Sequence, residues 1–324
     1  MKNAWKENLP VYLLFITITI VVTRGVIGAM NEPPLPVYAS PNADHWVAPS
    51  LYIDGTEGFD RTELIYGEEL IAHTSRYFGP NGNIAHISNG MNCQNCHLQA
   101  GTKAWGNNYG AVYSTYPKFR ARSGSVESIS KRVNDCFNRS LNGEAIDTAG
   151  KEMKAMIAYI SWLGRGINRG VKPVGSGITE LPLLDRAANP ATGAMLYTTK
   201  CESCHGPHGE GVRTSTGYLY PPLWGVNSFN NGAGLLRLSK LAGFIRDNMP
   251  YNIATHESPV LSDAEAWDVA AFICTQGRPQ KDLHNDWPNI SKKPFDHPFG
   301  PYADGFSERE HQLGPYQGIL AGGK

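Results

Sequence analysis

Cys93-Gln94-Asn95-Cys96-His97 and Cys201-Glu202-Ser203-Cys204-His205 are two copies of one pattern, and their reading decides the fold. Two thiols two residues apart can add to the two vinyl groups of one haem, and the histidine that follows meets the iron from the same side. Taken alone, either stretch also fits a zinc or redox CxxC. The second continues as Gly206-Pro207-His208-Gly209-Glu210-Gly211, the glycine-rich continuation usual in cytochromes. The downstream register then settles both. Met249-Pro250 follows the second motif, and 22 positions beyond Met249 begins Ala271-Phe272-Ile273, closing with Gly277-Arg278. After the first motif, Ala158-Tyr159-Ile160 closes with Gly164-Arg165, and 22 positions before Ala158 stands Cys136. Both of these pairs, Cys136 with Met249 and Ala158 with Ala271, lie 113 positions apart, so the chain reads as an internal duplication of one cytochrome unit. The expected fold is mainly α: two tandem class I cytochrome c-like domains with an extended N-terminal arm and a C-terminal tail.

The two copies differ where it matters. Met249 lies 44 residues after His205 and opens the loop before the closing helix, the place of an iron's sixth ligand. A methionine is more often plain core, but its position before Pro250 favours ligation. The equivalent position in the first copy is the thiol of Cys136. A thioether raises the iron potential, whereas a thiolate lowers it and can itself do sulfur chemistry. Met153 and Met156 sit at core spacing on the closing helix, and Met91 is too near Cys93 to reach the far face, so all three read as structural. Cys136 has two other readings, a buried thiol or a disulfide with Cys274. Cys274 is equivalent to Ser161 among core-like neighbours and reads as a buried free thiol. Arg132 precedes Cys136 by one turn on the same helix face, and Arg122 lies just upstream. Cations there depress a thiol pKa and bind oxyanions bidentately, although solvent or haem propionates also engage arginines. Lys118 and Arg120 extend the positive patch.

Composition bounds the rest. The 324 residues hold 29 basic and 29 acidic side chains, so nothing points to nucleic acid. With 35 Gly and 22 Pro, much of the chain is expected to be loop. Residues 1–30 read as a signal peptide or a membrane anchor: Lys2 and Lys6 precede the apolar run Val11 to Val22, and Leu9 to Met30 approaches the roughly 20 residues that span a bilayer. Covalent haem with an export signal places the protein in the periplasm. Residues 31–60 form the arm, 61–166 the first domain, 167–180 the linker, 181–278 the second domain and 279–324 the tail. The spacing predicts helices from Thr62 to before Gly79-Pro80, over Ser125–Leu141 with Ser125 as N-cap, over Met153–Leu163 and over Ala264–Gln276. The last 45 residues show no helix or strand period.

These residues resemble the dihaem thiosulfate dehydrogenases, which couple two thiosulfates into tetrathionate. The likeness runs from about His45 to Ile319. It is densest over His86-Ile87-Ser88-Asn89-Gly90-Met91-Asn92-Cys93-Gln94-Asn95-Cys96-His97 and over Tyr116 to Gly143, including Arg132-Val133-Asn134-Asp135-Cys136. The resemblance implies a catalytic haem with His/Cys ligation by His97 and Cys136, bound through Cys93 and Cys96. It implies anion handling by Arg122 and Arg132. A relay haem, bound through Cys201 and Cys204 and ligated by His205 and Met249, would pass electrons to an external partner such as a small cytochrome c. Some relatives carry a lysine directly before that methionine, able to compete for the iron; this chain has Asn248, so no such ligand switch is expected. A non-catalytic dihaem electron carrier and a dihaem peroxidase are the alternatives. A carrier has no need of a thiolate beside arginines, and a peroxidase wants an open iron position.

Overall fold

The computed structural model describes residues 44–322. The expected signal or anchor segment, and most of the arm, lie outside the described residues. Asp60 caps the first helix, α1 (Arg61–Ala72), by accepting from the Thr62 and Glu63 amides. Its buried residues Leu64, Gly67, Leu70 and Ile71 form one stripe. That stripe lies across the closing helix of the first half, α3 (Lys151–Leu163). The crossing is tight: a Cβ on Gly67 would stand 2.1 Å from the Ala155 carbonyl oxygen and 2.8 Å from Tyr159 Cβ.

The second half repeats this packing. Asn189 caps α4 (Pro190–Lys200), with Pro190 in the first turn where its missing amide costs nothing. A reciprocal Ser262/Glu265 box starts the closing helix α6 (Asp263–Cys274). At the crossing of α4 and α6, a Cβ on Gly193 would stand 1.9 Å from the Asp268 carbonyl oxygen and 2.9 Å from Phe272 Cβ. Ala155 and Asp268, like Tyr159 and Phe272, are 113 positions apart, so the duplication reaches down to individual packing contacts. Each half has its own core, one around Leu64, Phe137, Tyr159 and Trp162, the other around Tyr197, Leu238, Trp267 and Ile273.

Between α1 and α3 the sequence reading needs one correction. Residues 125–127 are not the first turn of a helix. Strand β1 (Lys118–Arg120) pairs antiparallel with β2 (Ser125–Glu127), Lys118 opposite Glu127 and Arg120 opposite Ser125, around a turn with Gly124 at φ +63°. Helix α2 (Ile129–Arg139) starts later, with Ser128 accepting from the Lys131 amide, and it ends before Leu141. The apolar Val126, counted above as helical, is 67% exposed on the hairpin. The corresponding helix of the second half is α5 (Leu238–Asn248), which packs on α6. A second small hairpin, β3 (Val212–Thr214) with β4 (Gly217–Tyr220), follows the second haem motif.

The tail also departs from expectation. It contains two short helices, α7 (Glu308–Leu313), started by a Ser307/Glu310 capping box, and α8 (Gln317–Gly322). They deliver Leu313, Tyr316 and Ile319 into the second core, and the Leu313 carbonyl accepts from the Ala188 amide. Upstream, the tail binds the first half: the Trp287 amide donates to the Arg122 carbonyl at 2.8 Å. The two halves also meet directly. Asn230 donates through its backbone to Arg139 and through its side chain to Asn138, and the Trp105 and Asn107 amides donate to Gly175 and Gly177 of the linker. Among the described residues, no helix is long and apolar enough to cross a membrane.

Candidate active site

The first haem motif is built on a single 3-10 turn, Cys93–Asn95, held at its start by a reciprocal exchange between Asn92 and Asn95. The Cys93 amide donates to Thr74 Oγ1 at 3.0 Å, which ties the motif to the segment just after α1. Burial pushes the Cys93 and Cys96 thiols up to about 12, so neither carries charge into the apolar cavity beside it. His97 Nδ1 donates to the Asn107 carbonyl at 2.5 Å. That bond fixes the tautomer with a bare Nε2, and burial holds the imidazole down to about 4, the neutral form a metal requires.

These groups face a cavity of about 560 Å³ whose walls include Ile71, Met91, Tyr109, Met156 and Ile160. Cys136 lines the same cavity from α2. The contents fit a covalently held macrocycle: two thiols and a bare imidazole nitrogen from the motif, apolar walls, and a further thiol from a separate helix. Met91, Met153 and Met156 belong to the buried interior, as read above. Cys136 and Cys274 do not form a disulfide. Cys274 is a buried thiol raised to about 12, donating to the Leu236 carbonyl at 3.4 Å.

Arg132 stands one turn before Cys136, and its electrostatic interaction with Cys136 is the foremost cause that raises its pKa, with Tyr116, Asp135 and Glu127 contributing less. Both residues also line a cavity of about 350 Å³ continuous with the haem site, since Cys96 and His97 line it too, together with Arg120, Arg122 and Ser140 from the first half. The second half and the tail close it with Arg237, Lys240, Trp287 and His297, and no carboxylate is among its lining residues. A space so lined attracts anions. Arg122 is less free than its sequence position suggests. Asp286 of the tail takes its Nε edge at 2.8 Å and bridges to Arg139 Nη2 at 2.9 Å. Burial, then the nearby Arg139 charge, lowers Arg122 to about 10.

Arg237, Lys240, Trp287 and His297 were not identified from the sequence. They lie far along the chain from Cys136 and carry no motif; the duplication shows only that Arg237 stands at the start of the helix equivalent to α2.

In the second half, His205 Nδ1 donates to the Pro221 carbonyl at 2.9 Å, and burial lowers its pKa. Met249 sits at the end of α5 and packs with Cys201, Leu223 and Trp224 against the second core. Asn248 is fully buried, donating to the Trp105 and Phe244 carbonyls.

Residues 83–168 match the family described as SoxA/TsdA, cytochrome c domain, and residues 190–276 match cytochrome c. The chain is 36% identical to a thiosulfate dehydrogenase of Allochromatium vinosum over 79% of this chain and 89% of that protein. It is 39% identical to one of Psychrobacter arcticus over 63% of this chain, spanning 62% of the relative's length. A solved thiosulfate dehydrogenase (TsdBA) of Marichromatium purpuratum superposes with a TM-score of 0.68 at 31% identity, covering 80% of this chain and 53% of that one. Two cytochrome c domains, each with its CxxCH, give this chain two covalently bound haems c.

Proposed function

Because the chain belongs to the thiosulfate dehydrogenase family, we propose that it oxidises two thiosulfates to tetrathionate, with Cys136 as the catalytic thiolate. The observation that carries this reading is the cavity at Cys136, lined by arginine, lysine and histidine from both halves and by no carboxylate. Residues 61–166 form the catalytic domain and 181–278 the relay domain, joined by 167–180. Cys93 and Cys96 hold the first haem, with His97 and Cys136 as its axial ligands; Cys201 and Cys204 hold the second, with His205 and Met249. When bound, the haems supply the redox chemistry, accepting electrons one at a time and passing them to an external carrier such as a small cytochrome c.

The protein's own groups do the rest. Arg132 stabilises the thiolate form of Cys136 and, with Arg122, offsets the charge of an incoming dianion. The sulfane sulfur of one thiosulfate bonds to the Cys136 sulfur as two electrons leave, giving a Cys136–S–SO₃⁻ conjugate. A second thiosulfate attacks the sulfane sulfur of that conjugate, the bond to Cys136 breaks, and tetrathionate departs with the thiolate restored. Run backwards, the same steps reduce tetrathionate. A pure electron carrier has no need of a thiolate beside arginines. The N-terminal 30 residues direct export, so haem attachment and catalysis take place in the periplasm.

Mixing the purified, oxidised holoprotein with thiosulfate while recording the haem bands tests the reading. Reduction of both haems with stoichiometric tetrathionate supports it; unchanged spectra under saturating thiosulfate and tetrathionate would reject it.

A further inference from the structure

Joining two dianions requires two places for negative charge, and Arg122 and Arg132 both come from the first half. The start of α5 and the tail line the same cavity with Arg237, Lys240, Trp287 and His297. There Arg237 is held as Arg122 is. Arg122 gives its Nε edge to Asp286, and Arg237 gives its Nε and Nη2 to a single oxygen of Asp296, at 2.7 and 2.5 Å. Asp296 is fully buried, and its other oxygen accepts from the Ser239 amide and hydroxyl. In both arginines the contacts with the carboxylate run through Nε and Nη2. One short stretch of tail, 286–297, thus orients an arginine from each half toward the same cavity, which it also lines with Trp287 and His297.

We propose that Arg237 is a second substrate-binding arginine, which receives the dianion that attacks the sulfur conjugate on Cys136, with Asp296 as its positioning residue. The proposal rests on the thiosulfate reading above and adds a place for the second substrate. The geometry supports a binding role over a purely structural ion pair. A carboxylate held by Ser239 and by one edge of a guanidinium leaves the other edge as a preset fork for an oxyanion. Lys240, one turn further along α5, lines both cavities but is engaged by Glu180 at 2.8 Å. It adds positive potential to a dianion resting on Arg237.

The test uses holoprotein and sulfate, a dianion with the sulfonate geometry of thiosulfate and no sulfane sulfur to react. Calorimetric titration of the oxidised wild type should show two sulfate sites. In the Arg237→Gln/Asp296→Asn double variant, which removes both charges and leaves no buried carboxylate unpaired, one site should weaken at least tenfold. The other should stay within twofold. The KM for thiosulfate should rise at least tenfold while kcat changes less than threefold, and Arg237→Lys should recover part of the KM. Haem content and both midpoint potentials should match wild type. Two undisturbed sulfate sites in the double variant would overturn the proposal. So would a shifted haem potential with unchanged sulfate binding, since Arg237 would then serve a haem propionate. Thiosulfate-driven haem reduction in the wild type, measured alongside, tests the function separately from Arg237.

Discussion

Replacing Arg132 by glutamine removes the cation one turn from Cys136 while keeping a polar side chain with some hydrogen-bonding capacity. Side chains four apart on a helix stand about 5–6 Å from each other at Cβ. Unit charges at that separation attract by about 3 kcal/mol at an effective dielectric of about 20. Arg132 is only half-buried beside an open cavity, so solvent screening leaves about half of that, or about tenfold in an equilibrium constant. The same loss applies again to a dianion brought against Cys136. We therefore expect kcat/KM for thiosulfate to fall about 10- to 100-fold, or about 1.4–2.7 kcal/mol of transition-state stabilisation. The assay is thiosulfate-dependent reduction of ferricyanide over a range of salt, with haem content measured in parallel. Arg132→Lys should recover part of the loss, because the charge remains while the fork is gone. Raised salt should cost the wild type more than the glutamine variant. A glutamine variant within twofold of wild type, under roughly half a kcal/mol, would refute the electrostatic argument and leave Arg132 to solvent or a propionate.

Cys136→Ser should abolish the thiolate-type low-spin signal of one haem, leave the other haem intact by electron paramagnetic resonance, and remove thiosulfate oxidation. Substituting Met249 by leucine should alter the potential of the second haem and slow transfer to an external acceptor while thiosulfate-dependent changes at the first haem persist, both readable by redox titration and stopped flow. Gly67→Ala and Gly193→Ala should each destabilise by about 1–3 kcal/mol or more in denaturant titration, since the added Cβ meets a carbonyl on the crossing helix. Burial and the Lys293 and Arg122 charges hold His297 down to about 4 against 6.5 unfolded. The folded state therefore resists a proton that the unfolded chain accepts. The stability from this group is complete above pH 6.5 and is lost as the pH falls toward 4, by up to about 3 kcal/mol. The fall in Tm over that window should be shallower in His297→Gln.

Much of the fold was legible because the signals that carry it are local and occur twice. Two CxxCH motifs and a shared register placed Cys136 opposite the first motif, and the Gly67 and Gly193 crossings repeat that register in atomic contacts. The misplaced helix start at Ser125 has a physical cause. Ser125 and Ser128 are both good N-caps, and only pairing with Lys118–Arg120 makes residues 125–127 a strand. Helices α7 and α8 were missed because each is six residues long, too short to show a period. Their apolar residues make sense only against a core assembled from elsewhere in the chain. Arg122 was found by its nearness to Cys136, but its ion pair with Asp286, 164 residues on, has no sequence signature. Arg237 was invisible for the same reason: a cavity wall is a property of the assembled halves.

The tail's grip on both halves sets a limit on modularity. Each half has its own core and its own haem motif. The cavity at Cys136 belongs to neither half alone. Its lining is encoded by α2 and by α5, and the carboxylates that aim its arginines by residues 286 and 296. Recombination at the linker would separate α2 from α5 and the tail, and with them the lining of the cavity at Cys136, so the three segments are bound to be inherited as a set.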